Sequence, residues 1–189
     1  MQKNAIRDLV LIAAFAALII VLGLVAIPVG VLGVPIVLQN MGVILVGMLL
    51  GWKRGTLAVI LFLAVGLLNV PNLAGMKTTL AALSGPTIGY LAGYILAAFL
   101  VGMLTAKRPS SSGGQFALFT GAGIVGLIAM YVLGSIGLIF RTDLPFTEAL
   151  LSNGVYIPLD LVKVVFAALI AIAVLKAVPQ LRPRTSRTA

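Results

Sequence analysis

Long apolar runs alternate with short polar breaks along the whole chain. The run from Leu9 to Ile27 carries no charge over 19 residues, and about 20 such residues cross the hydrocarbon core of a bilayer. Lys3 and Arg7 precede it, but the run is longer than a signal-peptide core and no A-x-A cleavage site follows. We therefore predict a first transmembrane helix over residues 8–27.

Five further apolar runs predict helices over residues 35–50, 56–70, 86–106, 116–140 and 158–178, with a basic tail over 179–189. The second and third runs are short, because a helix of that length reaches about 24 Å and the core is ~30 Å thick. Lys53 and Arg54 separate them at a tight turn, so both helices would meet one membrane face and leave room for a cavity towards the other. The predicted fold is a single all-α integral membrane domain of six transmembrane helices.

Composition supports a membrane protein. Of the 189 residues, 61% are apolar and only 9% are charged, whereas a soluble domain is about a quarter charged. The net charge of +9 does not indicate nucleic-acid binding, because the basic residues form short groups between apolar runs, as membrane topology requires.

The distribution of basic residues predicts the orientation. One side of the six-helix topology would carry Lys3, Arg7, Lys53, Arg54, Lys107, Arg108, Lys176, Arg182, Arg184 and Arg187. The other side would carry only Lys77 and Arg141, while Lys163 lies within a helix. The positive-inside rule then puts both termini in the cytoplasm, and residues 28–34, 71–85 and 141–157 form outward loops.

Catalysis and metal binding are disfavoured by the residue types present. The chain has no cysteine and no histidine, which removes the commonest general base and metal ligand. Gly121, Gly123 and Gly126 spell G-x-G-x-x-G, but they lie inside an apolar run without the strand that a dinucleotide site needs. No P-loop motif occurs, so we expect neither an enzyme nor a bound cofactor or metal.

Asp160 and Lys163 stand three residues apart at the start of the last predicted helix, on one face. They could form an interfacial pair in which Lys163 extends towards the headgroups and Asp160 lies near the positive helix N-terminus. They could instead face a cavity that binds a ligand. We favour the second interpretation, because an ionisable residue within a span is a functional hypothesis by default.

Other polar residues are predicted at the same outer end. Gln39 and Asn40 could cap the second helix or orient a small polar ring. Tyr90 and Tyr94 could be interfacial anchors or walls of a pocket. Lys77 could be an ordinary loop lysine or the partner of a carboxylate.

Small residues recur at four-residue spacing, as in Gly85, Gly89 and Gly93 of the fourth predicted helix and Ala13 and Ala17 of the first. This spacing lets helices approach closely. Packing within the chain accounts for most of these positions, but the first helix could also use its small face to dock a partner.

Several segments, taken in order, resemble the BioY family, the biotin-specific S components of ECF-type vitamin transporters. They are V-P-I-V-L-Q-N-M at residues 34–41, G-L-L-N-V-P at 66–71, G-P-T-I-G-Y at 85–90 and P-L-D-L-V-K at 158–163. Each block is weak alone, whereas their order and spacing match over nearly the whole chain.

The resemblance implies the S-component fold and high-affinity capture of biotin from the outside of the bacterial cytoplasmic membrane. Uptake would be powered by separate subunits, namely a transmembrane T subunit and two ATPases. Ala13 and Ala17 are similar to the small-residue motif by which S components engage the T subunit.

The resemblance also implies a ligand-binding set: Asp160, Lys163, Gln39, Asn40, Tyr90, Thr87, Lys77 and Asn153. Asp160 would accept from the ureido N–H groups of biotin and Lys163 would donate to its carbonyl, with Lys77 near the carboxylate.

This chain departs from many family members in the loop that would close over the ligand. It reads Met76-Lys77-Thr78-Thr79 where many have a glycine-rich loop with an asparagine, Ile88 in place of a second glycine, and Leu91 where some have an arginine. Two alternatives therefore stay open: an S component for another vitamin or precursor, and a membrane scaffold subunit that transports nothing.

Overall fold

The computed structural model describes residues 2–24, 26–27, 36–142 and 144–181. Within these ranges the α-helices are α1 Gln2–Leu24, α2 Gln39–Leu67, α3 Thr79–Ala82, α4 Ile88–Leu104, α5 Ser112–Arg141, α6 Phe146–Leu151 and α7 Ile157–Ala177. Short 3-10 turns cover Ala74–Met76, Ser152–Val155 and Pro179–Leu181. The all-helical fold class is confirmed, with the addition of one antiparallel pair of two-residue strands, β1 Ala26–Ile27 and β2 Ile36–Val37.

The helix α2 is folded in two at Gly51. This residue has φ 74° and ψ 177°, a region essentially reserved for glycine. A methyl group placed on Gly55 would lie 3.2 Å from the Cα of Gly47, although the two residues would be roughly 12 Å apart along a straight helix. The arms 39–50 and 52–67 therefore run back along each other, and the reversal lies beside the predicted turn at Lys53 and Arg54.

The start of α2 differs from the predicted run over 35–50. Residues 36 and 37 pair with β1 instead of joining the helix, which begins at Gln39. α1 begins earlier than predicted, because the mostly polar segment 2–7 continues the helix beyond the apolar run, and it ends earlier, at Leu24, because Ala26 and Ile27 form β1. Pro35, the outward loop 28–34 and the basic residues 182–187 lie outside the described residues.

The lengths of the helices suit a bilayer. By length and composition four described helices could cross a membrane: Ala5–Leu24, Gln39–Leu67, Ser112–Arg141 and Ile157–Ala177. Because Gln39–Leu67 is folded at Gly51, its two arms are each shorter than a full span, as is the apolar α4. Large apolar side chains such as Leu9, Ile128 and Phe166 are exposed on the outside, as expected of helices that face lipid.

Glycines set the distance between α4 and its two main neighbours, α2 and α5. A methyl group on Gly93 would lie 2.8 Å from the Cα of Met130 in α5, and one on Gly47 would lie 2.9 Å from the carbonyl oxygen of Ala98 in α4. The close helix approach predicted from the small-residue spacing is confirmed at these positions.

Polar contacts at the end of the bundle that holds Gly51 connect the helices. Arg54 forms an ion pair with Asp8 of α1 at 3.2 Å, and Arg7 donates to the carbonyl oxygen of Gln180. Arg108 donates to the carbonyl oxygen of Met48 at 2.7 Å. Basic side chains therefore close this end of the bundle and fasten α1, which otherwise packs mainly on α2.

We predict that Gly102→Ala destabilises the protein by about 1–3 kcal/mol, because the added methyl would overpack a tight crossing. It would lie 2.6 Å from the carbonyl carbon of Gly51, the residue that folds α2. Gly121→Ala is the matched control, since nothing lies within 4 Å of a methyl group there. Thermal unfolding in detergent should show a lower Tm for the first variant only. An equal Tm for both variants would contradict the packing described for α4 and α2.

Candidate functional site

A cavity opens at the end of the bundle opposite to Gly51, where α2, α4 and α7 begin. All four tyrosines of the chain line it: Tyr90, Tyr94, Tyr131 and Tyr156. Sequence reasoning missed Tyr131 and Tyr156, because one lies deep in a continuous apolar run and the other in a predicted loop. Apolar residues such as Leu73, Leu91 and Met130 complete the walls.

Asp160 and Lys163 form a buried ion pair on one side of this cavity. Lys163 Nζ lies 2.8 Å from Asp160 Oδ1, and the two side chains are only 6% and 7% exposed. Both line the cavity. The alternative of an interfacial pair is therefore wrong, because the Lys163 side chain is buried beside the cavity and does not extend towards the surface.

Lys163 uses all three of its N–H donors within the protein. Besides Asp160, it donates to the carbonyl oxygen of Val37 at 2.7 Å and, over a longer distance of 3.4 Å, to Asn40 Oδ1. An ammonium group has three donors, so Lys163 joins α7 to β2 and to the first turn of α2.

Asp160 keeps capacity for a ligand. Its Oδ1 accepts from Lys163, and its Oδ2 accepts from the Tyr131 hydroxyl at 2.7 Å. A carboxylate offers about four acceptor sites. Two sites therefore remain for N–H groups of a ligand, on a carboxylate that two partners hold in a fixed orientation.

Gln39 lines the cavity but acts mainly as a structural tether. It is 1% exposed, and its amide nitrogen donates to the carbonyl oxygens of Ile19 at 3.1 Å and Asn72 at 2.7 Å. These bonds use both amide hydrogens and connect α1, α2 and the loop after α2. Only the amide oxygen of Gln39 is left to serve a ligand.

Asn72, which sequence reasoning missed, organises the loop that carries Lys77. Its side chain donates to the Phe62 carbonyl and to Thr79 Oγ1, both at 2.8 Å, and accepts from the Thr79 amide at 2.9 Å. The main-chain N–H groups of Asn72 and Leu73 bind the Lys77 carbonyl. Lys77 lies exposed against the cavity, without an ion-pair partner among the residues that the structure describes.

Tyr90 is held as a rigid wall by Asn153. The Tyr90 hydroxyl donates to Asn153 Oδ1 at 2.7 Å, and Asn153 Nδ2 in turn donates to Ser135 Oγ at 2.8 Å. The Tyr90 ring lies directly over Gly134, where a methyl group would be 2.5 Å from ring carbon Cδ1. Asn153 itself is buried behind Tyr90 and does not line the cavity.

The remaining predicted residues fall in two places. Thr87 lines the cavity at the N-terminus of α4. Ala13 and Ala17 lie on the exposed face of α1. Burial, and then the nearby Asp160 carboxylate, raise the pKa of Tyr156, so this phenol in the cavity wall stays neutral.

The chemistry of the site is that of binding. It offers an oriented carboxylate, flat aromatic walls and a cation at the rim, which suit a ligand with a small polar head, an apolar body and an anionic end. Among the described residues no group of three His, Cys, Asp or Glu side chains could hold a metal ion.

Comparisons with known proteins agree with one another. The sequence model of the BioY family matches residues 1–180. The chain is 38% identical to a biotin transporter BioY of Rhizobium etli over 94% of this chain and 98% of that protein. It is 41% identical to a biotin transporter BioY of Rhodobacter capsulatus over 94% and 95%.

The crystal structure of the S component for biotin from an ECF-type ABC transporter superposes with a TM-score of 0.83. The two sequences are 34% identical, and the match covers 93% of this chain and 94% of the other. The S-component fold expected from the sequence is thereby confirmed.

We predict that Lys163→Met lowers the stability of the ligand-free protein by about 3–5 kcal/mol, because it leaves Asp160 charged and buried without its ion-pair partner. The double variant Asp160→Asn with Lys163→Met removes both charges and should recover most of that loss. Thermal unfolding without ligand measures both. If the double variant were as unstable as the single one, the loss would come from packing and not from the unpaired charge.

Proposed function

Because this chain belongs to the BioY family, we propose that it is the biotin-binding S component of an ECF-type transporter. It would capture biotin on the outer side of the bacterial cytoplasmic membrane and deliver it inwards. The observation that carries the proposal is the buried Asp160–Lys163 pair on the wall of a cavity lined by tyrosines.

The bicyclic head of biotin fits the polar side of the cavity. Its ureido group has two N–H donors and one carbonyl acceptor, and the two N–H groups point to opposite sides of the ring. Asp160 would therefore accept from one of them, through its remaining lone pairs. Lys163 can donate to the ligand only if it releases its longest contact, the one to Asn40, so its main role is to orient Asp160 through their ion pair.

The rest of biotin matches the rest of the cavity. The thioether ring and the aliphatic tail would lie against Tyr90, Leu91 and Met130. The carboxylate would reach the rim, where Lys77 supplies a charge and Thr87 at the start of α4 supplies a hydroxyl group. Lys77 would thus take the place of the arginine that some relatives carry after the tyrosine.

The arrangement in the membrane follows the predicted topology, with six spans and both termini in the cytoplasm. The exposed small-residue face of α1 at Ala13 and Ala17 would dock the T subunit, and ATP would be hydrolysed by two separate ATPase subunits. The chain itself would not be an enzyme.

Two other functions predict different results. An S component for another vitamin would bind a ligand in the same cavity, and competition with biotin would identify it. A scaffold subunit would bind no solute and would tolerate replacement of both Asp160 and Lys163. The oriented carboxylate beside a cavity favours a binding function, since buried charges at such a depth are expensive.

We predict that calorimetry shows one-to-one binding of biotin to the purified protein, and that Asp160→Asn weakens it by about 10-fold to 100-fold, because a hydrogen bond to a charged acceptor is lost. Glu148→Gln makes the same chemical change at an exposed outer residue away from the cavity and should leave the affinity unchanged. Folded wild-type protein that binds no biotin would contradict the proposal.

Lys77→Met tests the assignment of the carboxylate. The wild type should prefer biotin to biotinamide, whose tail is uncharged, and the variant should lose about 3-fold to 10-fold of that preference, the effect of a partly exposed charge. The affinity for biotinamide should barely change. A preference that persists in the variant would assign the carboxylate to another group.

A further inference from the structure

Most of the hydrogen-bond donors that line the cavity already have a partner within the protein. Lys163 spends its three N–H groups on Asp160, Val37 and Asn40. Tyr131 donates to Asp160. These donors build the site, and each could reach a ligand only by breaking a bond within the protein.

Two further donors are occupied in the same way. Tyr90 donates to Asn153, and both amide hydrogens of Gln39 are used by main-chain carbonyl groups. Tyr156 is not among the unpaired groups either.

Tyr94 differs from the other cavity tyrosines. It is only 9% exposed and lines the cavity, yet its hydroxyl has no hydrogen-bond partner among the residues that the structure describes. The Tyr94 hydroxyl is not one of the fully buried unpaired polar atoms of these residues, so it keeps some contact with open space. The open space that Tyr94 lines is the cavity. Buried polar groups in proteins are nearly always paired, so an unpaired donor on a residue that lines a cavity is a candidate partner for an acceptor on a ligand.

The position of the Tyr94 hydroxyl is fixed by packing. Its ring lies 6.4 Å from that of Phe62, centroid to centroid, and the adjacent Gly93 brings the backbone of α4 against Met130 of α5. Tyr94 and Asp160 both line this cavity. An unpaired donor and an acceptor with spare capacity therefore line the same cavity.

We propose that Tyr94 is a specificity-determining residue whose hydroxyl donates to the ureido oxygen of the ligand while Asp160 accepts from the adjacent ureido N–H. This assignment rests on the proposed function. In a cyclic urea the carbonyl and each N–H are neighbours, so one donor and one acceptor that face the same cavity can together recognise that edge. Asn40 and Thr87 also have donors without a partner among the described residues. Both side chains are only half-buried, so leaving their donors unpaired costs less free energy.

The test is Tyr94→Phe, which removes one hydroxyl and keeps the ring. Biotin affinity should fall by about 10-fold to 100-fold, because the ureido oxygen is left buried without its donor. The Tm without ligand should not fall, since no bond within the protein is lost. Tyr90→Phe is the matched comparison: it removes a hydroxyl that is bonded to Asn153, so it should lower the Tm.

A second ligand distinguishes the loss of a hydrogen bond to the ureido oxygen from a change in the shape of the cavity in Tyr94→Phe. The thiourea analogue of biotin has sulfur, a weaker acceptor, in place of the ureido oxygen. Tyr94→Phe should weaken its binding far less than that of biotin, so that the preference of the wild type for biotin shrinks. An equal loss for both ligands would overturn the assignment.

The remaining outcomes distinguish the assignment from the proposed function. If the wild type binds biotin and Tyr94→Phe binds it as tightly, Tyr94 is not the donor and the proposed function stands. If the folded wild type binds no biotin, the proposed function and the role of Tyr94 fail together.

Discussion

Two opposite charges buried in an apolar helical bundle determine how the half of this molecule that contains the cavity is built. A charge within a membrane span costs about 2.5–3.5 kcal/mol on insertion scales, and it is retained only where partners compensate. Asp160 and Lys163 compensate each other, and their remaining contacts to Tyr131, Val37 and Asn40 connect α7 to α5, β2 and α2. The same pair therefore fastens the bundle and presents a carboxylate to the cavity.

The cavity lies where short helical segments pack closely against the longer helices α5 and α7. The reversal at Gly51 divides α2 into two short arms, and glycines bring α4 against both α2 and α5. Gln39 and Asn72 then tie the loop after α2 to the bundle by hydrogen bonds, so Lys77 is held over the opening. Rigid walls of this kind let a ligand bind without first ordering the site.

Sequence reasoning predicted the helices and the buried pair, because apolar runs and charges inside them are local signals. It placed Gln39 and Asn153 in the ligand-binding set, whereas the structure gives Gln39 a mainly structural role and places Asn153 behind Tyr90. It also missed Tyr131, Tyr156 and Asn72. Which polar group faces the cavity depends on contacts between distant segments, and no pattern along the chain contains that information.

The most direct test of this account is a structure of the protein determined with biotin bound. We expect the ureido ring within hydrogen-bond distance of the Asp160 carboxylate and the Tyr94 hydroxyl, with the biotin carboxylate at the rim near Lys77. Biotin bound in the reverse direction, with its carboxylate against Lys163, or bound outside this cavity, would contradict the account.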